Sequence, residues 1–226
     1  MHYTIIPIKS LSNSKKRLES FLSPIQRRQL VLALLKDVLT AVANSKFSNG
    51  TLIVTPDSEI VEIIRGWNFS NNIEYLLEHE AKGTNHAVQQ AIDWCSSKPI
   101  SSILIIPADL PLITSKDIDE LLKLGNQHYP LIIAPSQRKD GTNAFYQRPP
   151  NLVQVWYGNN SFQKNLQLIM QSQVPYKIFE NPAFALDIDL KEDLQKLFQL
   201  KEKSASFKFI TSLKFNFLYS EKKIRI

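Results

Sequence analysis

The sequence predicts an α/β fold: a mostly parallel sheet with helices on both faces. Two observations predict it. Short β-branched apolar runs alternate with amphipathic helical segments, and the runs stay apolar on successive residues, as strands buried on both faces must. Tyr3–Ile8 reads as the first strand, and a polar loop, 9–16, follows it. Ser23-Pro24 opens a helix, with Ser suited to the cap and Pro to the first helical position. Leu30, Leu34, Val38 and Val42 form its apolar stripe, flanked by Val31, Leu35 and Leu39, and the helix ends near Asn44-Ser45. Thr51–Thr55 is a second strand, Pro56-Asp57 a turn, and Ser58–Trp67 a short helix. Ile73–Leu77 is a weaker strand and Thr84–Cys95 has helical spacing. Ser102–Pro107 carries the strongest central-strand signal, and a helix over Ser115–Leu124 follows with Ser115 as its cap. Leu131–Pro135 and Asn143–Tyr146 are further strands, Asn160–Gln171 a helix, Tyr176–Phe179 a strand and Lys191–Leu200 a last helix.

No internal repeat or low-complexity linker interrupts the body, so residues 1–201 read as one domain. The tail, 202–226, is basic and aromatic. Its alternation of Phe, Leu and Lys suggests a strand or hairpin. The tail packs on the body, pairs with a second copy or is poorly ordered, in that order of expectation, and the second makes a homodimer an expectation.

The 226 residues are 43% hydrophobic and 21% charged, a balance that excludes a disordered chain. At this length roughly 70% of the unfolded surface can be buried without covalent staples. The single cysteine, Cys95, allows no internal disulfide and points to a reducing compartment. With no targeting segment and no apolar run near the ~20 residues of a membrane helix, the expected location is the cytoplasm. The net charge is +6, but residues 201–226 hold six Lys, one Arg and two Glu. Subtracting that +5 leaves the body, 1–200, at +1, so a nucleic-acid partner is not expected.

Open α/β sheets bind ligands at the carboxyl ends of their strands. After the first strand come Lys9, Lys15 and Arg17; after Ser102–Pro107 comes Asp109; after Tyr176–Phe179 come Asp187 and Asp189. In an extended segment Asp187 and Asp189 point to one side, where they repel unless a cation lies between them. One cationic loop and two anionic ones suit a phosphate ester with a divalent metal such as Mg2+. Each also has a plainer role: solvated surface Lys and Arg, a turn at Asp109, or Asp189 as the cap of the next helix. The Walker pattern and G-x-G-x-x-G are absent, and the four histidines lack zinc spacing. No G-x-S-x-G elbow supports a serine hydrolase, and Cys95 lies on an apparent amphipathic helix, where core packing is expected.

An ordered set of motifs narrows the reading. It comprises IPIKSLSNSKKRL (Ile6–Leu18), LLKDVLTAV (Leu34–Val42), IVTPD (Ile53–Asp57), PADLPLIT (Pro107–Thr114), APSQRKDGTNAFYQRPP (Ala134–Pro150), YGNNSFQKN (Tyr157–Asn165) and ALDIDLKEDL (Ala185–Leu194). The set resembles the 2-phospholactate/phosphoenolpyruvate guanylyltransferases of coenzyme F-420 biosynthesis, from Tyr3 to about Leu197. The resemblance implies a three-layer α/β/α, Rossmann-like fold of the GT-A type. It implies transfer of GMP from GTP to the phosphate of a three-carbon phosphoacid (2-phospholactate, phosphoenolpyruvate or 3-phosphoglycerate) with release of diphosphate. It further implies Mg2+ on Asp109 and Asp187 with Asp189 close by, acceptor phosphate at Thr142, Gly158 and Ser161, and triphosphate near Lys9, Lys15 and Arg17. Gly83-Thr84-Asn85 falls where the family has G-L-N, so Gly83 and Asn85 would line the nucleotide. Leu190 replaces the common Thr after the acidic pair, which weakens a helix cap but keeps both carboxylates. Two other readings are a CTP- or molybdenum-cofactor-type nucleotidylyltransferase and a non-catalytic nucleotide- or nucleic-acid-binding protein.

Overall fold

The computed structural model describes residues 1–70, 72–78, 80–201 and 204–213. The strands are β1 (His2–Pro7), β2 (Gly50–Thr55), β3 (Ile73–Leu77), β4 (Ser102–Ile105), β5 (Leu131–Pro135), β6 (Thr142–Gln147) and β7 (Tyr176–Ile178). They form one sheet in the order β3-β2-β1-β4-β6-β5-β7. Only β6 runs against its neighbours, pairing antiparallel with β4 and β5; every other pair is parallel.

Alternation along the strands builds two cores. Ile5, Leu52, Val54, Ile103, Ile105 and Phe145 are buried on one face, against α3 (Thr84–Ser96) and α5 (Ser161–Gln171). Ile6, Ile53, Leu104, Ile132 and Tyr146 are buried on the other, against α1 (Pro24–Ala43), α2 (Ser58–Gly66), α4 (Ser115–Gln127) and the short α6 (Pro182–Ala185). This is the expected three-layer arrangement. A Cβ on Gly125 of α4 would overlap the Tyr146 ring, so glycine there lets α4 lie close to β6. Cys95 is buried in the first core, and burial pushes its thiol up to about 12. Among the described residues no helix is long and apolar enough to cross a membrane.

The capping box of Ser23 and Gln26 opens α1 where Ser23-Pro24 places it. For α4 the cap is Thr114, not Ser115: its hydroxyl accepts from the Asp117 amide and Asp117 bonds back. A larger difference concerns the tail. Residues Ala205–Ser212 form a helix, α8, rather than a strand or hairpin. Buried Ser206 and Ile210, with part-buried Phe209 and Leu213, recur at helical spacing against α1 and α7 (Lys191–Leu200). Ser204 caps the helix, and Asp37 of α1 accepts bonds from the Ala205 and Ser206 amides. That carboxylate, 168 residues upstream of Ala205, satisfies amides that a strand reading leaves out of account. Residues 202–203 and 214–226, over which the strand or hairpin reading also ran, lie outside the described residues.

Candidate active site

The loop after β1 is shaped by short helical turns at Leu11–Asn13 and Lys16–Leu18. Asp57, the cap of α2, also accepts from the Leu11 amide at 3.0 Å and ties this loop to the end of β2. Lys15 adopts a left-handed backbone, φ 52°, and its side chain turns inward with 9% exposure. Its ammonium lies 2.5 Å from Asp109 Oδ2 and 3.0 Å from Asp189 Oδ1. Arg17 Nη1 reaches Asp189 Oδ2 at 3.4 Å. Lys9 is exposed and makes no ion pair among the described residues.

The acidic loops meet through the backbone as well. The Ile188 amide donates to the Asp109 carbonyl at 3.2 Å, which sets Asp187 and Asp189 beside Asp109. Asn143 of β6 donates to Asp187 Oδ1 at 3.2 Å and to the Phe184 carbonyl at 2.8 Å. Burial, reinforced by the negative charge of Asp109, pushes the Asp187 carboxyl up to about 6. Asp189 behaves oppositely. Burial would raise it, but Lys15 and then Arg17 outweigh that and hold it below the ordinary carboxylate value. Burial opposes the Lys15 charge too, but Asp109 and Asp189 overcome it and keep the ammonium protonated.

The turn that carries Asp189 is held by Asp193, which sequence reasoning passed over. Asp193 Oδ2 accepts from the Asp189 and Leu190 amides at 3.0 and 2.8 Å, and Oδ1 accepts from Arg138 at 2.5 Å. Leu190 is the N-cap position of α7 and offers no side-chain acceptor to the first turn, while the Asp193 carboxylate three residues on reaches back to the Leu190 amide, the other half of a capping box.

The second group of expected residues gathers around the start of α5. Thr142 is buried at the start of β6, and its hydroxyl accepts from Asn165 Nδ2 at 3.0 Å. Gly158 has φ +114°, a conformation that L side chains rarely adopt, and its carbonyl accepts from the Ser161 amide at 3.1 Å. Asn165, fully buried, also bonds both the amide and the carbonyl of Trp156, each at 2.8 Å. It fastens the 156–161 turn to β6 and was another residue missed. Asn85 bonds the Tyr157 backbone at both ends, so the Gly83–Asn85 segment is tied to the same turn. The β5–β6 connection joins the two groups: the Gln137 amide donates to the Ala185 carbonyl at 2.8 Å, and the Asp140 carbonyl accepts weakly from the Phe162 amide.

The residues present fit a divalent cation. Asp109 Oδ1 is buried with no hydrogen-bond partner, and Asp187 faces the repulsion of Asp109. Among the described residues no group of three or more His, Cys, Asp or Glu is arranged to hold a metal. A two-carboxylate site suits Mg2+, which keeps waters and substrate phosphates as its remaining ligands.

Comparison with known proteins gives the family and the fold. The profile of the family described as "Guanylyl transferase CofC like" matches residues 2–225. The chain belongs to this family. It is 36% identical over 212 residues to 2-phospho-L-lactate guanylyltransferase of Methanocaldococcus vulcanius, covering 92% of this chain and 90% of the relative. It is 31% identical over 195 residues to phosphoenolpyruvate guanylyltransferase of Rubrobacter xylanophilus, covering 86% and 92%. The fold matches a crystal structure from Desulfovibrio desulfuricans described as a nucleotide-diphospho-sugar transferase, with TM-score 0.74, 14% identity, and 94% and 95% of the two chains covered. It also matches CMP:2-keto-3-deoxy-manno-octonic acid synthetase in complex with CTP, with TM-score 0.58, 12% identity, and 88% and 97% covered. These likenesses agree with the GT-A-type architecture expected of the sequence.

Proposed function

We propose that this member of the family transfers GMP from GTP to the phosphate of 2-phospho-L-lactate or a close three-carbon phosphoacid, and releases diphosphate. The observation that carries the reading is the convergence of Lys15, Asp109, Asp187 and Asp189 where the carboxyl ends of β1 and β4 open. The acceptors named for the family's relatives give the substrate class.

The reaction joins two anions, so charge is its main obstacle. An acceptor phosphate oxygen forms a bond to the α-phosphorus of GTP as the bond from that phosphorus to the bridging oxygen of the leaving diphosphate breaks. The acceptor is already ionised near pH 7, so no side chain has to remove a proton. Lys15 brings a buried positive charge fixed by two carboxylates, ready to face phosphate without reorganising. Lys9 and Arg17 stand on the same loop and offer exposed charge to the triphosphate. Asp109 and Asp187 would hold Mg2+, with Asp189 adjacent as the anchor of Lys15 and Arg17. When bound, the ion would offset phosphate charge and polarise the α-phosphate. Thr142, Gly158 and Ser161 supply a hydroxyl and backbone groups suited to the acceptor phosphate, on a turn held by Asn165. Gly83 and Asn85 line the nucleotide side of that turn.

The test is diphosphate release from GTP with Mg2+, measured without acceptor and with 2-phospho-L-lactate, phosphoenolpyruvate and 3-phosphoglycerate in parallel. Release should depend on one of these acceptors, and mass detection should find the guanylylated product. Absence of acceptor-dependent release from folded protein would refute the reading.

A further inference from the structure

Among the described residues Glu78 is a buried carboxylate without an adequate partner. Its side chain is 5% exposed and Oε1 makes no hydrogen bond. His86 on the first turn of α3 faces it, with Nδ1 3.8 Å away and also buried without a hydrogen bond among the described residues. Such groups are uncommon, because losing water without a replacement partner costs free energy. Burial accordingly pushes the Glu78 carboxyl above its ordinary value, and His86 offsets only part of that.

The place of Glu78 gives this a direction. It is the first residue after β3, and its amide donates to the carbonyl of Thr55, the last residue of β2, at 3.0 Å. The amide of Ile8, next to the cationic loop, donates to the Val54 carbonyl at 2.9 Å. Glu78 thus stands on the same rim as Lys15 and Asp109, three strand spacings from the end of β4, or roughly 15 Å. That separation is comparable to the reach of a nucleotide from its base edge to its phosphates. Between Glu78 and His86 runs the Gly83 turn, where φ is +94° and a Cβ would meet only open space.

We propose that Glu78 is the specificity-determining residue for the base, and that its two carboxylate oxygens accept the N1–H and the exocyclic N2–H of guanine. The inference rests on the GTP reading above and adds the contact that selects the base. A carboxylate only accepts. Guanine presents two adjacent donors on that edge, whereas adenine and cytosine each present a ring-nitrogen acceptor beside one donor. The same carboxylate therefore attracts guanine and repels the others, which is how a buried polar group discriminates most strongly.

The experiment uses the full chain with Mg2+ and acceptor, and compares GTP with inosine triphosphate, which lacks the N2 amine, and with 1-methyl-GTP. For the wild type, both analogues should raise KM about tenfold or more while kcat stays within about threefold. Glu78→Gln should raise the KM for GTP about 10- to 100-fold and bring the GTP-to-ITP preference close to one. Equal use of GTP and ITP by the wild type, or an unchanged preference in a folded Glu78→Gln protein, overturns the proposal. If that variant does not fold, Glu78→Asp, which keeps the charge but shortens its reach, should lower the GTP-to-ITP preference about threefold or more, and an unchanged preference overturns the proposal. If the wild type releases no diphosphate with any acceptor, guanylyl transfer fails as a reading. Thermal shift with GTP against ITP then still tests the base contact, and equal shifts overturn it.

Discussion

Replacing Asp187 with asparagine should make the protein more stable and abolish its metal response. The Asp187 carboxyl is raised from 3.8 to about 6, first by burial and then by Asp109. A displacement of that size corresponds to at most ~3 kcal/mol of stability lost once the group is ionised. Water reaching the half-buried carboxylate trims this to about 1–2 kcal/mol. The folded state holds the proton more tightly than the unfolded chain, so stability falls as pH rises from near 4 to near 6 and is level above that. In the Asp187→Asn variant the side-chain amide oxygen can still accept the Asn143 bond without carrying charge. In EDTA this variant should therefore match the wild type at pH 4 and melt about 3–6 °C higher at pH 7.5. Mg2+ should raise the melting temperature of the wild type only, and turnover should be lost in the variant. The assay is a set of melts from pH 3.5 to 8, with and without Mg2+. A variant that melts no higher at pH 7.5, or a gap that does not open between pH 4 and 6, would refute the account of this carboxyl.

Three further outcomes are expected. Lys15→Met leaves Asp109 and Asp189 without their shared ammonium and should cost about 2–3 kcal/mol in urea denaturation at pH 7.5. Added Mg2+ should recover part of that loss, and an unchanged midpoint would show that the pair contributes nothing. Asn165→Leu orphans the amide and carbonyl of Trp156 and should cost about 2–4 kcal/mol. It should also raise the acceptor KM about tenfold with the GTP KM little changed; parallel rises in both would assign Asn165 to general stability alone. Ile210→Ala removes the buried anchor of α8 and should cost about 2–4 kcal/mol with full activity at low temperature. A cost near zero would mean that α8 is not docked on α1.

The α/β class was legible because a strand buried on both faces can hardly be written except as a run such as Thr51–Thr55 or Ser102–Ile105. Asp109 was legible because it follows such a run closely. Asp187 and Asp189 stand beyond the short α6, which the sequence pattern did not place, and were legible through the ordered motif instead. The tail was not. Its period-two alternation competes with a period-near-four set at 206, 209–210 and 213, and the Asp37 carboxylate that favours the helix comes from α1. The weak cap of α7 was legible at Leu190, which has no side-chain acceptor, but the bonds from the Asp189 and Leu190 amides to Asp193 were not.

Outside the tail and the short α6, the amino-acid order by itself determined which segments become strands and helices, because these depend on neighbours within a few positions. Only the tertiary structure decided that Lys15 lies between Asp109 and Asp189, that Asn143 steadies Asp187, and that Asn165 fastens Thr142 to the 156–161 turn. Those contacts join residues separated by 23 to 174 positions. Their partners are fixed by strand order and by burial, which no local pattern of residues records.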